Sequence, residues 1–234
     1  MVEIKLEGPG KNALGTDMMH SIYERLEAAG GQPVLLTGMD DAFSAGLNLK
    51  EVVSLDADGM VDFLRRLTVF FRSVYTYPGP TVAAINGHAI AGGCVLGLVC
   101  DHTVSTTNPR TRIGLNEVNL GLRFPPILVR LLHQVLSPAH IREAVLGAGL
   151  HDPINALRLG LVDEISDDPL ETARGRLAAL ARHPARAYAD SKADLHCGVM
   201  NDHPEDEAFF TEQVLPSWTS DALRSRIIAV LGKK

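Results

Sequence analysis

Two glycine-containing loops and one glutamate are the residues of this chain with the clearest chemical potential. Residues 43–51 (FSAGLNLKE) and 88–96 (HAIAGGCVL) each follow a predicted strand, and each loop can present a free backbone N–H. Two such amides that converge on one oxygen form an oxyanion hole, which stabilises negative charge on that atom. The spacing therefore favours an enzyme that must stabilise an oxyanion.

The stretch 80–96 (PTVAAINGHAIAGGCVL) is the most informative of these segments. Small and β-branched residues at 81–85 predict a buried strand, Asn86-Gly87 interrupts it, and Ala91-Gly92-Gly93 leads into an apolar helix that starts near Cys94. The first N–H groups of a helix have no partner within the helix, and the helix dipole adds positive potential there. Such a helix start attracts negative charge.

Glu117 is the candidate acid/base that could act beside the two loop amides. It lies in an otherwise apolar stretch, IGLNEVNLGL at 113–122. Burial in apolar surroundings raises the pKa of a carboxyl group, which suits a general base near neutral pH. A structural alternative is a carboxylate that stabilises the start of a helix through the dipole.

The alternation of predicted strands and helices places these loops in an α/β fold. Strands alternate with helices along the first part of the chain, which predicts parallel pairing. Residues 43–49 are predicted as a loop. We predict a core over residues 1–183 and a helical region over 184–234. The predicted strands are 2–6, 34–36, 81–85, 101–105, 112–115 and 161–165, and the predicted helices are 17–29, 60–75, about 94–99, 127–135, 138–146, 153–159, 169–182, 184–196, 205–215 and 220–231.

Composition and charge exclude several classes of function. The chain has 234 residues, 46% of them hydrophobic, and a formal net charge of −6, which provides no basic footprint for nucleic acid. We expect no membrane span and no secretory signal. Three cysteines cannot form a disulfide framework, so we expect a reducing compartment, the cytoplasm. The scattered histidines include no H-E-x-x-H motif, so we expect no metal site.

Six motifs in order resemble the crotonase superfamily, the enoyl-CoA hydratase/isomerase group. They are KNALG (11–15), VLLTG (34–38), AFSAGLNLKE (42–51), AAINGHAIAGGCVLGLVCDHTV (83–104), IGLNEVNLGL (113–122) and ALRLGLVDEI (156–165). The resemblance implies a ClpP-like spiral of β-β-α turns with a helical C-terminal trimerisation region. It also implies an acyl-CoA thioester ligand, with coenzyme A as part of the substrate and no separate cofactor, and a homotrimer or dimer of trimers.

The resemblance also implies roles for individual residues. The backbone amides of Leu47 and Gly92 would form the oxyanion hole, and Glu117 would be the catalytic acid/base. Lys11 and Ala13 would contact the CoA moiety, and the terminal Lys233 and Lys234 are further candidates for its phosphates. The predicted substrate-binding residues are Ser44, Ala45, Gly46, Gly93, Val95, Leu122 and Arg123.

Val95 marks a departure from the hydratases that this family contains. Hydratases carry a glutamate three residues after the oxyanion glycine, and that place is Val95 here. The family's Δ3,Δ2-enoyl-CoA isomerases keep only the glutamate equivalent to Glu117, and some share the G-L-N-E string. The resemblance is thus closest to these isomerases, in which one carboxylate moves a proton from C2 to C4 of the acyl chain.

Three alternatives remain open at the level of the sequence. The first is an enoyl-CoA hydratase, and the second is another crotonase-type acyl-CoA enzyme, such as a hydrolase or decarboxylase, because the enolate is common to all. The third is a non-catalytic homologue that binds acyl-CoA or RNA. Arg123 could face the acyl pocket and bind a charged group there, or it could be a solvated surface residue. His88 is either a second acid/base or a structural histidine.

Overall fold

Short parallel strands form two sheets in the computed structural model, which describes residues 1–199 and 201–232. Lys233 and Lys234 lie outside the described residues. The larger sheet has five strands in the order β1-β2-β4-β6-β8, and the smaller has three in the order β3-β5-β7. The strands are β1 Val2–Leu6, β2 Val34–Gly38, β3 Ala42–Ser44, β4 Thr81–Ile85, β5 His88–Ile90, β6 His102–Thr106, β7 Ile113–Gly114 and β8 Glu164–Ser166.

Helices connect the strands and complete the C-terminal part of the chain. The turn α1 is distorted, because Gly10 and Lys11 adopt left-handed backbone angles within it. A π-helical segment, Phe210–Val214, separates α12 from α13. The helices are α1 Pro9–Asn12, α2 Thr16–Ala29, α3 Leu49–Ser54, α4 Ala57–Tyr75, α5 Gly92–Leu98, α6 Glu117–Leu120, α7 Pro126–Val135, α8 Ile141–Leu146, α9 Pro153–Leu159, α10 Pro169–Leu180, α11 Ala185–His196, α12 Asp206–Phe209, α13 Leu215–Trp218 and α14 Asp221–Leu231.

A strand–strand–helix unit recurs along the chain. β2-β3-α3, β4-β5-α5 and β6-β7-α6 each place their first strand in the larger sheet and their second in the smaller. The pairing is parallel throughout, with Val34 opposite Thr81 and Val82 opposite His102. This arrangement confirms the predicted α/β class and the spiral of β-β-α turns.

Strands β3 and β5 of the smaller sheet are not predicted by the sequence pattern, whereas β7 lies within the predicted strand 112–115. Residues 43–49, predicted as a loop, contain the end of β3 and the first residue of α3, and β5 follows β4 after only Asn86-Gly87. Strands of two or three residues show no periodicity of their own. They form because parallel partners lie beside them, with Ala42 opposite His88 and Ala89 opposite Ile113.

The C-terminal helices pack closely on the sheet-containing core. Val214, Trp218 and Ile227 belong to the same buried cluster as the large-sheet residues. A buried ion pair, Lys192 Nζ to Asp101 Oδ1 at 2.8 Å, joins α11 to the connection before β6. The proposed boundary between residues 183 and 184 therefore stays a prediction, and the region beyond it shares the core's hydrophobic interior.

The described helices differ from membrane-spanning helices. None of them combines the length and apolar character needed to cross a bilayer.

Candidate active site

The backbone N–H of Leu47 is left free by the way its loop is held. Leu14 forms an isolated parallel bridge to Leu47, in which the Leu14 N–H donates to the Gly46 oxygen (2.7 Å) and the Asn48 N–H donates to the Leu14 oxygen (2.9 Å). In this geometry the polar groups of Leu47 itself point away from Leu14. Within the described residues, no backbone acceptor takes the Leu47 N–H.

Gly46 allows this loop to lie close to the second one. Its φ is +89°, a conformation that side chains rarely adopt. A β-carbon on Gly46 would also come within 2.7 Å of the Ile90 backbone oxygen at the end of β5. Glycine at position 46 is therefore required both by its own torsion angle and by the close approach of the two loops.

Gly92 supplies the second free amide. It is the first residue of α5, and Ala91 before it has a φ of +50°, which turns the chain from β5 into the helix. The Ala91 N–H donates to the Gly114 oxygen, and the Val95 N–H donates to the Ala91 oxygen, both within 3.0 Å. No backbone acceptor in the described part of the chain takes the Gly92 N–H. This is the expected state of a helix start.

Leu47 and Gly92 are neighbours in space. A β-carbon on Gly92 would lie 3.2 Å from Leu47 Cδ2. Both residues line one cavity of about 250 Å³. The loops predicted to present the two amides are thus brought together at a single cavity, as an oxyanion hole requires.

Glu117 also lines this cavity, at the start of α6. The residue is 7% exposed, and its Oε2 atom has no hydrogen-bond partner. Burial raises the pKa of Glu117 to about 7, while its own backbone N–H acts in the opposite direction. A group with this pKa is divided between acid and base near neutral pH, which suits a carboxylate that both removes and returns a proton.

The rest of the cavity wall is almost entirely apolar. Among the described residues, only Asn116 and Glu117 place polar side-chain oxygens in the lining, and no lysine or arginine belongs to it. The wall suits an apolar group beside two amides and one carboxylate. The lining residues are Ala45, Leu47, Leu49, Val52, Leu67, Phe71, Ile90, Ala91, Gly92, Val95, Asn116, Glu117, Leu120, Leu122, Phe124, Pro125, Leu128, Leu150, Trp218, Ile227 and Val230.

The predicted site residues divide into two groups. Ala45, Leu47, Gly92, Val95, Glu117 and Leu122 line the cavity. Ser44, Gly46 and Gly93 lie outside this lining, and substrate binding by them stays a prediction. Ser44 Oγ is buried and accepts the Gly46 N–H at 3.3 Å. Gly93 packs directly against Ser44, so these two residues support the loop that carries Leu47 without lining the cavity.

Arg123 is not part of the cavity lining, so substrate binding by its side chain stays a prediction. Its guanidinium donates to Gln213 Oε1 at 2.9 Å and lies 5.2 Å from the centre of the Phe209 ring. The Arg123 backbone oxygen instead accepts the indole N–H of Trp218 at 2.9 Å. The side chain is held on the surface by residues of the C-terminal region.

Lys11 and Ala13 flank the loop that holds Leu47, but neither lines the cavity. The exposed Lys11 Nζ forms an ion pair with Asp41 at 2.7 Å. The Lys11 oxygen accepts the Ala45 N–H. Between them, Asn12 Nδ2 donates to the Met39 and Ala42 oxygens and anchors the turn. CoA binding by Lys11 and Ala13 stays a prediction.

Asn116, Trp218 and Ile227 are cavity residues that sequence reasoning missed. Asn116 stands next to Glu117 in the G-L-N-E string, and its Oδ1 is buried without a hydrogen-bond partner. Its position beside the candidate base is the signal that could have identified it. Trp218 and Ile227 come from the C-terminal helices, and nothing in their local sequence connects them with Glu117.

A larger groove, of about 750 Å³, lies elsewhere, between α11 and the core. Asp101 and Lys192 line it, whereas Leu47, Gly92 and Glu117 do not. The Asp101 carboxylate already accepts hydrogen bonds from Thr81, Tyr188 and Lys192. The smaller cavity is thus the better candidate site, because it contains a buried carboxylate oxygen with no partner.

Two other candidate groups were located in the structure. His88 lies away from the cavity lining, and its Nδ1 accepts the Arg112 N–H at 3.1 Å, which is a structural role. Over residues 1–199 and 201–232, no group of three or more His, Cys, Asp or Glu side chains is arranged to hold a metal ion.

Known proteins resemble this chain in sequence. A family model described as enoyl-CoA hydratase/isomerase matches residues 1–224. A Thermus thermophilus protein named "Putative enoyl-CoA hydratase" is 36% identical over 183 residues, which are 75% of this chain and 70% of that protein. Mouse mitochondrial enoyl-CoA delta isomerase 1 is 30% identical over 167 residues, which are 69% of this chain and 58% of that protein.

The fold is shared with solved structures. Human mitochondrial delta3-delta2-enoyl-CoA isomerase superposes with a TM-score of 0.88, covering 99% of this chain and 92% of that one at 24% identity. The family model covers nearly all of the sequence, and the predicted loops and glutamate meet at one cavity. The chain therefore belongs to the enoyl-CoA hydratase/isomerase family.

Proposed function

We propose that this protein is an enoyl-CoA isomerase that moves a double bond from C3 to C2 of an acyl-CoA thioester. One observation carries the proposal. Among the described residues, Glu117 is the only carboxylate that lines the cavity, and its Oε2 has no hydrogen-bond partner. Isomerisation needs one acid/base, which takes a proton from one carbon and returns it to another.

The steps follow from the positions of three groups. The thioester oxygen accepts hydrogen bonds from the backbone amides of Leu47 and Gly92, which stabilise the dienolate that forms when C2 loses a proton. Glu117 removes that proton and delivers it to C4, and the double bond then lies between C2 and C3. The carboxyl group ends the cycle ionised again, so no other reactant is consumed.

Val95 supports proton transfer over addition of water. It is 1% exposed and lines the cavity at the place where hydratases of this family carry their other glutamate. A valine there cannot orient or deprotonate water. The apolar wall also favours an uncharged acyl group. No lysine or arginine of the described residues lines the cavity, so none could pair with a carboxylate on the acyl chain.

Hydration is the second candidate, and Asn116 is the observation that favours it. Asn116 Oδ1 and Glu117 Oε2 are both buried and unpartnered, and both residues line the cavity. A water molecule needs two or more polar partners to be held in such a place. With water held between these two oxygens, Glu117 would act as the base for hydration.

The proposal includes the surroundings of the site. Coenzyme A enters as part of the substrate, with Lys11 and Ala13 as its proposed contacts, and no separate cofactor takes part. The resemblance further suggests a homotrimer or dimer of trimers, and a cytoplasmic location stays a prediction. Hydrolase, decarboxylase and non-catalytic or RNA-binding roles are the alternatives that the experiment must separate.

The test is a set of acyl-CoA thioesters, with products separated by chromatography against authentic 2-enoyl and 3-enoyl standards and their masses determined by mass spectrometry. An isomerase converts 3-enoyl-CoA to 2-enoyl-CoA with no change in mass, whereas a hydratase adds the mass of water. A hydrolase releases free CoA, and a decarboxylase acts on a malonyl-type thioester with loss of carbon dioxide. The proposal fails if 3-enoyl-CoA is not isomerised, and RNA binding in a gel-shift assay without turnover would support the non-catalytic alternative.

The role of Glu117 needs its own variant. Glu117→Gln keeps the shape of the side chain and removes the base, so we expect kcat to fall by about 10²- to 10⁴-fold. Glu143→Gln is the matched control, because the Glu143 carboxylate is half-exposed and pairs with Arg158 on the surface. Full activity in Glu117→Gln would exclude Glu117 as the acid/base.

A further inference from the structure

A thin wall of three side chains separates the candidate active-site cavity from a second cavity. Val52, Trp218 and Ile227 line both of them. The second cavity has a volume of about 140 Å³, and its wall is mixed: Val53, Leu55, Met60 and Leu223 supply apolar side chains, and Asp56, Thr219, Ser220 and Arg224 supply polar ones. Leu47, Gly92 and Glu117 line the first cavity only, so the second lies beyond the wall from the reacting groups.

Trp218 is the largest part of this wall, and its position is fixed. The residue is 5% exposed, and its Nε1 donates to the Arg123 backbone oxygen at 2.9 Å. The Arg123 N–H in turn donates to Ser217 Oγ at 3.2 Å. Two hydrogen bonds therefore tie the end of α13 to the segment between α6 and α7. A buried indole anchored in this way cannot easily swing aside to admit a longer ligand.

We propose that the indole of Trp218, packed with Val52 and Ile227, is the stop that sets the longest acyl chain the cavity accepts. This inference rests on the proposed function, since it assumes that the apolar cavity holds the acyl group of a thioester. The chain would extend from the oxyanion amides through the apolar lining and end against the ring. Removal of the ring would join the two cavities, so that the volume of about 140 Å³ would be added to the volume of about 250 Å³.

The test uses binding, so it does not depend on turnover. Straight-chain saturated acyl-CoAs of increasing length are titrated into the folded protein by calorimetry. Each methylene that enters an apolar site raises affinity by about fourfold. We expect that increase to stop at one chain length in the wild type. In Trp218→Ala the increase should continue to longer chains, and Val52→Ala should move the limit in the same direction while keeping the indole.

Leu223→Ala is the matched control. Leu223 is 2% exposed and lines the second cavity but not the first, so this variant creates space beyond the wall without opening it. We expect its length limit to equal that of the wild type. Circular dichroism establishes that each variant is folded before its binding is compared.

Fluorescence provides an independent readout, because Trp218 is the only tryptophan in the chain. Emission from this indole should change on binding only when the acyl chain is long enough to reach it. The inference is overturned if folded Trp218→Ala and Val52→Ala both keep the wild-type length limit, or if the shortest and longest chains change the emission equally. Binding with a length limit but without isomerisation would instead overturn the proposed function alone, and no acyl-CoA binding would overturn both.

Discussion

Gly93 of α5 packs directly against the backbone oxygen of Ser44 at the end of β3. A β-carbon on Gly93 would collide with that oxygen and lie 2.8 Å from Ser44 Cβ. The contact holds the loop that carries Leu47 against the helix that begins at Gly92. The distance between the two amides thus depends on a glycine that does not itself line the cavity.

We expect Gly93→Ala to destabilise the protein, because backbone rather than a flexible side chain must move. Overpacking of this kind costs about 1–3 kcal/mol. Gly92→Ala is the comparison, since its β-carbon would meet only the ends of the Leu14 and Leu47 side chains, at 3.2 Å or more. Urea unfolding of both variants is the measurement, and equal losses of stability would contradict the prediction.

The rate of isomerisation should depend on the ionisation of Glu117. Only the ionised carboxylate can remove a proton, and burial places its pKa at about 7. We expect kcat/KM to fall by roughly tenfold per pH unit below that value and to level off above it. The pH–rate profile with a 3-enoyl-CoA is the measurement. A profile with no break near neutrality would show that another group limits the reaction.

The same shift predicts how Glu117 affects stability. The folded pKa of about 7 lies above the ordinary value of 4.5, so between these values the folded state binds more protons than the unfolded state. The free energy of unfolding should therefore decrease as pH rises through this window, by about 3 kcal/mol from this group alone. Glu117→Gln should lack that decrease when unfolding is followed from about pH 5 to about pH 8. Parallel curves for the two proteins would contradict this.

The buried ion pair between Lys192 and Asp101 should be important for the docking of α11. The two side chains are 7% and 11% exposed. Lys192→Met leaves the Asp101 carboxylate without its cation, and breaking such a pair costs about 3–5 kcal/mol. Thermal unfolding is the measurement, with Arg186→Ala as control, because Arg186 pairs with Asp190 on the surface of the same helix. A similar Tm for both variants would contradict a structural role for the pair.

Arg123→Ala should leave substrate use nearly unchanged. The Arg123 side chain contacts Gln213 and Phe209 outside the cavity, and the backbone oxygen that holds Trp218 is retained in the variant. We expect KM for the 3-enoyl-CoA to change by no more than about twofold. A selective loss of affinity for thioesters with a second carboxylate would show instead that Arg123 reaches the acyl group.

Helices and strands could be predicted from the sequence where capping residues, proline or glycine mark their ends. Helix α9 begins and ends as predicted, because Asp152 caps it, proline is its first residue and Gly160 ends it in a left-handed conformation. Strand β4 also matches, since an apolar run lies between a proline and Asn86-Gly87. Burial of Glu117 was predicted from its apolar neighbours, and the structure confirms it.

The lining of the cavity that contains Glu117 could not be predicted in the same way. Trp218 meets the Arg123 backbone across 95 residues of sequence, and Gln213 contacts the Arg123 side chain across 90. The short strands β3 and β5 were also not predicted, because they form only where neighbours from other turns of the spiral supply their hydrogen bonds.

The amino-acid sequence by itself determined the family, the order of the elements, the two amide-bearing loops and the lone carboxylate, because these depend on residue types and on neighbours along the chain. Only the tertiary structure decided which residues enclose the cavity, that Gln213 and Phe209 contact the Arg123 side chain, and that Trp218 lines both this cavity and a second one. Those features depend on contacts between distant segments, and packing selects such contacts only when the whole chain has folded.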